Sequence, residues 1–145
     1  MQRIECSIEI KADPAAVFDF VADPLGALSW MHNVTRFDPE SSGPPSVGAR
    51  VTASAIILGI PLTTTLEVTD VDRPRRLASS TAGRLRTRSI WEFAPILDGT
   101  RVTFIGEYDV PAALLRLVGG PMALQELESS AETSLRNLKS RIEER

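Results

Sequence analysis

The chain has 145 residues, is 43% hydrophobic and 24% charged, and carries a net charge of −3 at pH 7, the make-up expected of one globular domain with a sizeable core. That charge argues against a sequence-independent nucleic-acid binder, which would be basic, and the lone Cys6 excludes an internal disulfide and points to a reducing cytoplasm. No apolar run approaches the roughly 20 residues that cross a bilayer, so no transmembrane segment is expected; the alternating N-terminus also lacks the charged start and apolar block of a signal peptide.

In chain order, Ile4, Cys6, Ile8 and Ile10 alternate with Glu5, Ser7, Glu9 and Lys11, which predicts a half-buried strand. Asp13-Pro14 supplies an N-cap and a first helical residue for a short helix carrying Val17, Phe18 and Val21. Asp23-Pro24 repeats the start signal and predicts a second short helix over 25–31, weakened by Gly26. Next come a brief strand over 34–39 and a loop over 41–46, rich in Ser, Gly and Pro.

The middle of the chain is β-rich. Val51, Ala53, Ala55 and Ile57 share one face of a strand; Gly59-Ile60-Pro61 turns the chain; Leu62, Thr64, Leu66 and Val68 return it as an antiparallel neighbour. After the break over 72–76 comes a weaker strand over 77–82. Thr87, Ser89, Trp91 and Phe93 then share a face, with Arg84, Arg86 and Arg88 on the other. Pro95 is expected to stop that strand and Asp98-Gly99 to form a hairpin turn into Val102, Phe104, Gly106, Tyr108 and Val110.

Residues 112–118 read as helical, and Gly119-Gly120-Pro121 interrupts them ahead of the closing helix, as a break or as the hinge of a flap. From Pro121 onward, Leu124, Leu127, Ala131, Leu135, Leu138 and Ile142 recur every three or four residues. At 100° per residue they occupy an arc of about 80° on a long helix. Glu132 and Arg136 are placed for an i,i+4 pair on its wet side. One strand, two short helices, about six to seven antiparallel strands in all and a closing helix make an α+β chain, one helix clasped by a sheet, with residues 1–145 as a single domain.

That order, read with "IKADPAAVFDFVADP", "LSWMHNV", "WEFAPILDGTRVTF" and "LKSRIEER", resembles the START-like (SRPBCC) superfamily, and within it bacterial polyketide cyclase/dehydrase and lipid-transport-like proteins. The resemblance spans the whole chain and rests on the order of the four stretches. It implies a helix-grip fold, in which a curved antiparallel sheet wraps the closing helix and a cavity between them takes a hydrophobic ligand. Fold alone constrains function weakly.

On that reading the ligand-binding candidates are Trp30 at the mouth, Trp91, Phe93, Phe104 and Tyr108 on the last hairpin, and Leu124 and Leu127 on the helix. The small or medium residues Ala53, Ala55, Thr64, Leu66, Thr87 and Ser89 complete the set. The small ones among them, with Gly106, leave space where a solid core would carry Leu or Ile, although the same residues also suit a filled core.

His32 is the sole histidine and, with Tyr108, the weak candidate for acid/base chemistry; no nucleophile elbow or Cys–His pairing is legible, and a zinc site lacks recognisable spacing. No metal or cofactor is therefore expected. Glu107 and Asp109 point away from Tyr108 unless a bulge at Gly106 reverses them. The Arg84/Arg86/Arg88 stripe is either a solvated outer face, a docking stripe, or the source of one inward-turned cation. Three functions remain in view. The first is a binding or transport protein for a small hydrophobic molecule (lipid, isoprenoid or polyketide), acting as a monomer or homodimer without nucleic acid. The second is an aromatase/cyclase-type enzyme on a polyketide, and the third a protein-interaction module.

Overall fold

In the computed structural model, residues 2–83, 86–109, 111–113, 116 and 120–144 are described. The alternating first segment forms β1 (Gln2–Ile10). Asp13 then caps α1 (Pro14–Ala22), its Oδ1 accepting the Ala16 N–H at 3.2 Å, with Pro14 in the first turn where no N–H is needed. The second start signal is also used: Asp23 Oδ1 accepts the Leu25 N–H at 3.0 Å. The product is a 3-10 helix (Pro24–Ser29) that stops short of Met31, a correction to the expected helix over 25–31. Gly26 inside so short a segment withholds helix propensity.

Six further strands complete the sheet: β2 (Val34–Pro39), β3 (Arg50–Ile57), β4 (Ile60–Asp72), β5 (Arg76–Thr81), β6 (Arg86–Ile96) and β7 (Gly99–Asp109). All seven are antiparallel, in the order β1-β7-β6-β5-β4-β3-β2. β1 and β2 are thus opposite edges, and α1 with the 3-10 helix carries the chain from one to the other. The long helix α2 (Gly120–Glu143) lies in the trough of the curved sheet, the helix-grip arrangement. The flap expected over 112–118 with Gly119 lies largely outside the described residues.

Three local expectations are corrected. The β3–β4 turn is Leu58-Gly59, with φ of 56° and 77°, and Pro61 pairs with Ile56 inside the ladder. Two positive φ values in a two-residue connection match the right-handed twist of its strands. Pro95 does not stop β6, which pairs with β7 as far as Ile96 but with β5 only as far as Glu92. Its missing N–H therefore faces the side that has no neighbouring strand. Gly99 is not in the β6–β7 turn, which is Leu97-Asp98; a Cβ at Gly99 would stand 2.1 Å from the Ile10 carbonyl oxygen.

The core fills one end of the trough. On α2, Leu135, Leu138 and Ile142 are buried against Ile4 and Ile10 of β1, Val17 and Phe18 of α1, and Val102 of β7. Polar anchors hold that end: Lys139 Nζ donates to the Glu9 carbonyl at 2.7 Å, and the Lys11 N–H donates to the Glu143 carboxylate at 2.9 Å. Thr100, also buried, donates its hydroxyl to the Ala12 carbonyl at 2.7 Å. The expected Glu132–Arg136 pair is not formed; the Arg136 guanidinium donates to Thr133 Oγ1 at 3.0 Å instead. Leu138 is 0% exposed, so Leu138→Ala should lower the unfolding free energy by about 2–5 kcal/mol in urea titrations, the usual cost of such a cavity. A loss under about 1 kcal/mol would mean that α2 is not seated in this core.

Candidate functional site

Among the described residues the other end of the trough is unfilled, and the register of the ladders explains what lines it. Leu77, Trp91 and Phe104 are partners across β5, β6 and β7. One inward step along the same strands, Ser79, Ser89 and Gly106 are partners; a further step gives Thr81, Thr87 and Tyr108. The floor therefore passes from an aromatic row to rows of small and hydroxylated residues. Beyond it, β3 and β4 add Leu66 and, with short side chains that leave space, Ala53, Ala55 and Thr64. The space between this floor, the residues after the 3-10 helix and the Leu127–Ala131 face of α2 is a cavity of about 740 Å³, within the range of small-molecule sites.

Of the residues singled out from the sequence, Trp30, Ala53, Ala55, Thr64, Leu66, Thr87, Ser89, Trp91, Phe104, Tyr108 and Leu127 line this cavity. Phe93 and Leu124 do not, and both are corrections. Phe93 shares the inward face of β6, but α1 covers that end, and its ring meets Phe18 edge-on at 5.4 Å. Leu124 is turned about 60° from Leu127 around the helix axis at 100° per residue and packs at the margin of the core.

Trp30 is 1% exposed and meets Trp91 edge to face at 5.5 Å, with Phe104 a further 4.7 Å beyond Trp91. Its indole N–H is buried without a hydrogen-bond partner among the described residues. Three polar side chains of α2 fasten its backbone. The His32 N–H donates to Ser134 Oγ at 2.8 Å, Asn137 Nδ2 donates to the Trp30 carbonyl at 3.2 Å, and Arg141 Nε donates to the Ser29 carbonyl at 3.3 Å. His32 itself lies exposed at the cavity's edge, and its imidazole has no hydrogen-bond partner among the described residues.

The register runs through Gly106 without a bulge, so Glu107 and Asp109 stay on the outer face. Arg86 and Arg88 are on that face too, Arg88 lying 3.6 Å from Glu107, while Arg84 lies outside the described residues. Gly106 has another role: a Cβ there would stand 2.8 Å from the Tyr108 ring and hydroxyl, so the missing side chain is the seat of that ring. Loss of water pushes the Tyr108 phenol up to about 12. Cys6, across from Phe104 on β1, is pushed up to about 11 by burial and then by Glu132, Glu128 and Glu5. Among the described residues only Arg50 and Glu126 bring a carboxylate or guanidinium to the cavity lining, and both belong to exposed residues at its margin. Among the described residues no group of three or more His, Cys, Asp or Glu side chains is placed to hold a metal ion, and no helix is long and apolar enough to cross a membrane.

Sequence reasoning missed Ser79 and Leu77 on β5, and Ser130, Ala131 and Ser134 on α2, all of which line the cavity. The alternation of Leu77, Ser79 and Thr81 carried the signal, as did the i,i+4 spacing of Ser130 and Ser134 next to the apolar seam.

The profile of a family described as polyketide cyclase / dehydrase and lipid transport matches residues 1–143. No curated protein matches the sequence. Solved structures with the same fold include a START superfamily protein from Mycobacterium smegmatis (TM-score 0.83, 14% identity, 99% of each chain covered). A conserved protein from Geobacillus kaustophilus gives 0.79 at 17% identity, over 99% of this chain and 96% of its own. One from Thermus thermophilus gives 0.75 at 19% identity, over 96% and 98%.

Two outcomes test this geometry. The ordinary values for Cys6 and Tyr108 are 9.0 and 10.0, and both are raised on folding, to about 11 and about 12. The unfolded chain therefore ionises first, and stability that is complete below pH 9 is lost as pH rises through those values. The urea midpoint should fall above pH 9, and fall less in a Cys6→Ala/Tyr108→Phe variant; identical profiles would show that neither group is desolvated as described. Gly106→Ala should cost on the order of 1–3 kcal/mol by overpacking. Adding Tyr108→Ala should make the two changes strongly non-additive in a double-mutant cycle, whereas simple additivity would separate the glycine from the ring.

Proposed function

The chain belongs to the polyketide cyclase/dehydrase and lipid transport family, and we propose on that premise that it binds or carries a small hydrophobic molecule (a lipid, isoprenoid or polyketide) in the cavity between sheet and α2. One observation carries the reading. At floor positions where a closed core has Leu or Ile, this chain has Ala53, Ala55, Ser79 and Ser89, and among the described residues about 740 Å³ stays open.

Aliphatic and aromatic side chains dominate the walls, so a lipophilic guest gains about 25 cal/mol for each Å² of apolar surface it removes from water. The Trp30–Trp91–Phe104 cluster offers ring faces and edges for such contact. A carrier role also fits the polar inventory. The His32 imidazole is exposed and without a hydrogen-bond partner among the described residues, and the Tyr108 phenol is held neutral. Among the described residues neither is hydrogen-bonded to a base or acid of the kind proton transfer requires, and the ionisable neighbour of Tyr108, the Cys6 thiol, is itself pushed up to about 11.

Native mass spectrometry of the protein purified gently from its own host is the direct test. A stoichiometric lipophilic adduct, identified after extraction, is the expected result. A clean apo mass, together with no thermal shift against a panel of lipids and polyketides, would overturn the carrier reading.

A further inference from the structure

Three hydroxyls stand in one line across the floor of the cavity. Ser79 on β5 is the register partner of Ser89 on β6, and Ser89 is the partner of Gly106 on β7. Gly106 has no side chain to contribute, but the Tyr108 ring folds back over it and puts its hydroxyl where a Cβ at Gly106 would be 2.8 Å away. The phenol oxygen thereby joins the seryl row from one step along its own strand. Adjacent strands are about 4.8 Å apart and alternate inward residues about 7 Å. The hydroxyl row thus runs parallel to the aromatic row of Leu77, Trp91 and Phe104, one inward step away.

None of these three hydroxyls has a hydrogen-bond partner among the described residues. Among the described residues the only buried side-chain polar atom left without one is the Trp30 indole nitrogen, so the hydroxyls are open to the cavity. The neighbouring row differs: Thr81 and Thr87 bond each other at 2.9 Å. Among the described residues the floor carries no charged side chain, since Arg50 and Glu126 are at the margin.

Resting on the carrier reading above, we propose that the ligand is uncharged and oxygen-bearing: a flat ring system laid over Trp91 and Phe104, with a carbonyl or hydroxyl edge received by Ser79, Ser89 and Tyr108. A plain hydrocarbon would cover three hydroxyls and leave them dry, each costing the desolvation of an unsatisfied polar group. An ionised carboxylate would sit on a floor without a cation, which burial penalises more heavily still. The raised ionisation of Tyr108 keeps its proton in place, so the phenol remains a donor to a carbonyl oxygen throughout the neutral range.

The chain contains two tryptophans, and both line the cavity, so quenching of intrinsic fluorescence reads its occupancy. The probes are 9,10-anthraquinone, anthracene and anthracene-2-carboxylate, matched in shape and differing in oxygen and charge. In a Ser79→Ala/Ser89→Ala/Tyr108→Phe variant, which keeps the shape of the floor, quinone affinity should fall about tenfold and anthracene affinity should not change. In the unaltered protein at pH 7, the carboxylate should bind at least about tenfold more weakly than the quinone. If the triple variant does not fold, Tyr108→Phe alone, with its ring still over Gly106, should cost the quinone about threefold and leave anthracene unchanged. Equal losses for quinone and anthracene, no loss for either, or a carboxylate that binds as tightly as the quinone would overturn this inference and leave the carrier reading standing. Quenching by none of the three probes, with the apo mass described above, would overturn both.

Discussion

The packing of the last two turns of α2 against β1 and α1 is the contact on which the rest of the molecule depends. Leu135, Leu138 and Ile142 plug one end of the trough, and Lys139 and Glu143 tie that plug to the backbone of β1 and the residue after it. With this end solid, the first half of α2 is held across the sheet as a beam fixed at one end. Its weaker apolar face, Leu127 and Ala131, then roofs a space that the floor does not fill. An amphipathic helix usually buries its seam along its full length; here the seam is divided between packing and enclosing.

The division tracks side-chain size along each strand. β6 places Phe93, Trp91, Ser89 and Thr87 on one inward face. Phe93 is clamped by Phe18, Trp91 stands at the frontier, and the two smaller residues lie under open space. β7 repeats the trend with Val102, Phe104 and Gly106, after which Tyr108 doubles back over the glycine. The Trp30 segment closes the frontier from above, held by Ser134, Asn137 and Arg141. Those three hydrogen bonds tie the loop to α2, adding to the Met31 N–H bond to the Ala27 carbonyl and the burial of Trp30.

Much of this is legible in the order of residues. Alternation in β1, β3, β4, β6 and β7, the Asp-Pro helix starts and the i,i+3/i+4 seam of α2 are local signals, and the structure uses them all. What escapes depends on neighbours. Phe93 has the parity of Trp91, and only the position of α1 decides which of the two faces a void. Leu124 and Leu127 belong to one seam and both touch the core, yet a turn of about 60° puts only Leu127 in the cavity wall. Pro95 continues its strand because β5 has already ended beside it, a fact about another strand. Gly106 suggests a bulge by composition; its use as a seat for the Tyr108 ring depends on a rotamer that no spacing rule contains. Asn137 falls on the wet side of α2 by spacing, and it is the loop docked there that gives it the Trp30 carbonyl to hold.

The pairing of β1 with β7 sets a condition on how the molecule comes into being. Residue 10 pairs with residue 100 and residue 2 with residue 108, so the strand synthesised first must wait for nearly the whole sheet before its edge is covered. The entropy of closing so long a loop is lost before the pairing repays it, and folding dominated by such pairings is slow. Phe104 and Tyr108 stand on the strand that arrives late, and the helix that roofs them comes after it. A partly synthesised chain therefore owns the floor's edges but no chamber, which exists only once α2 has docked.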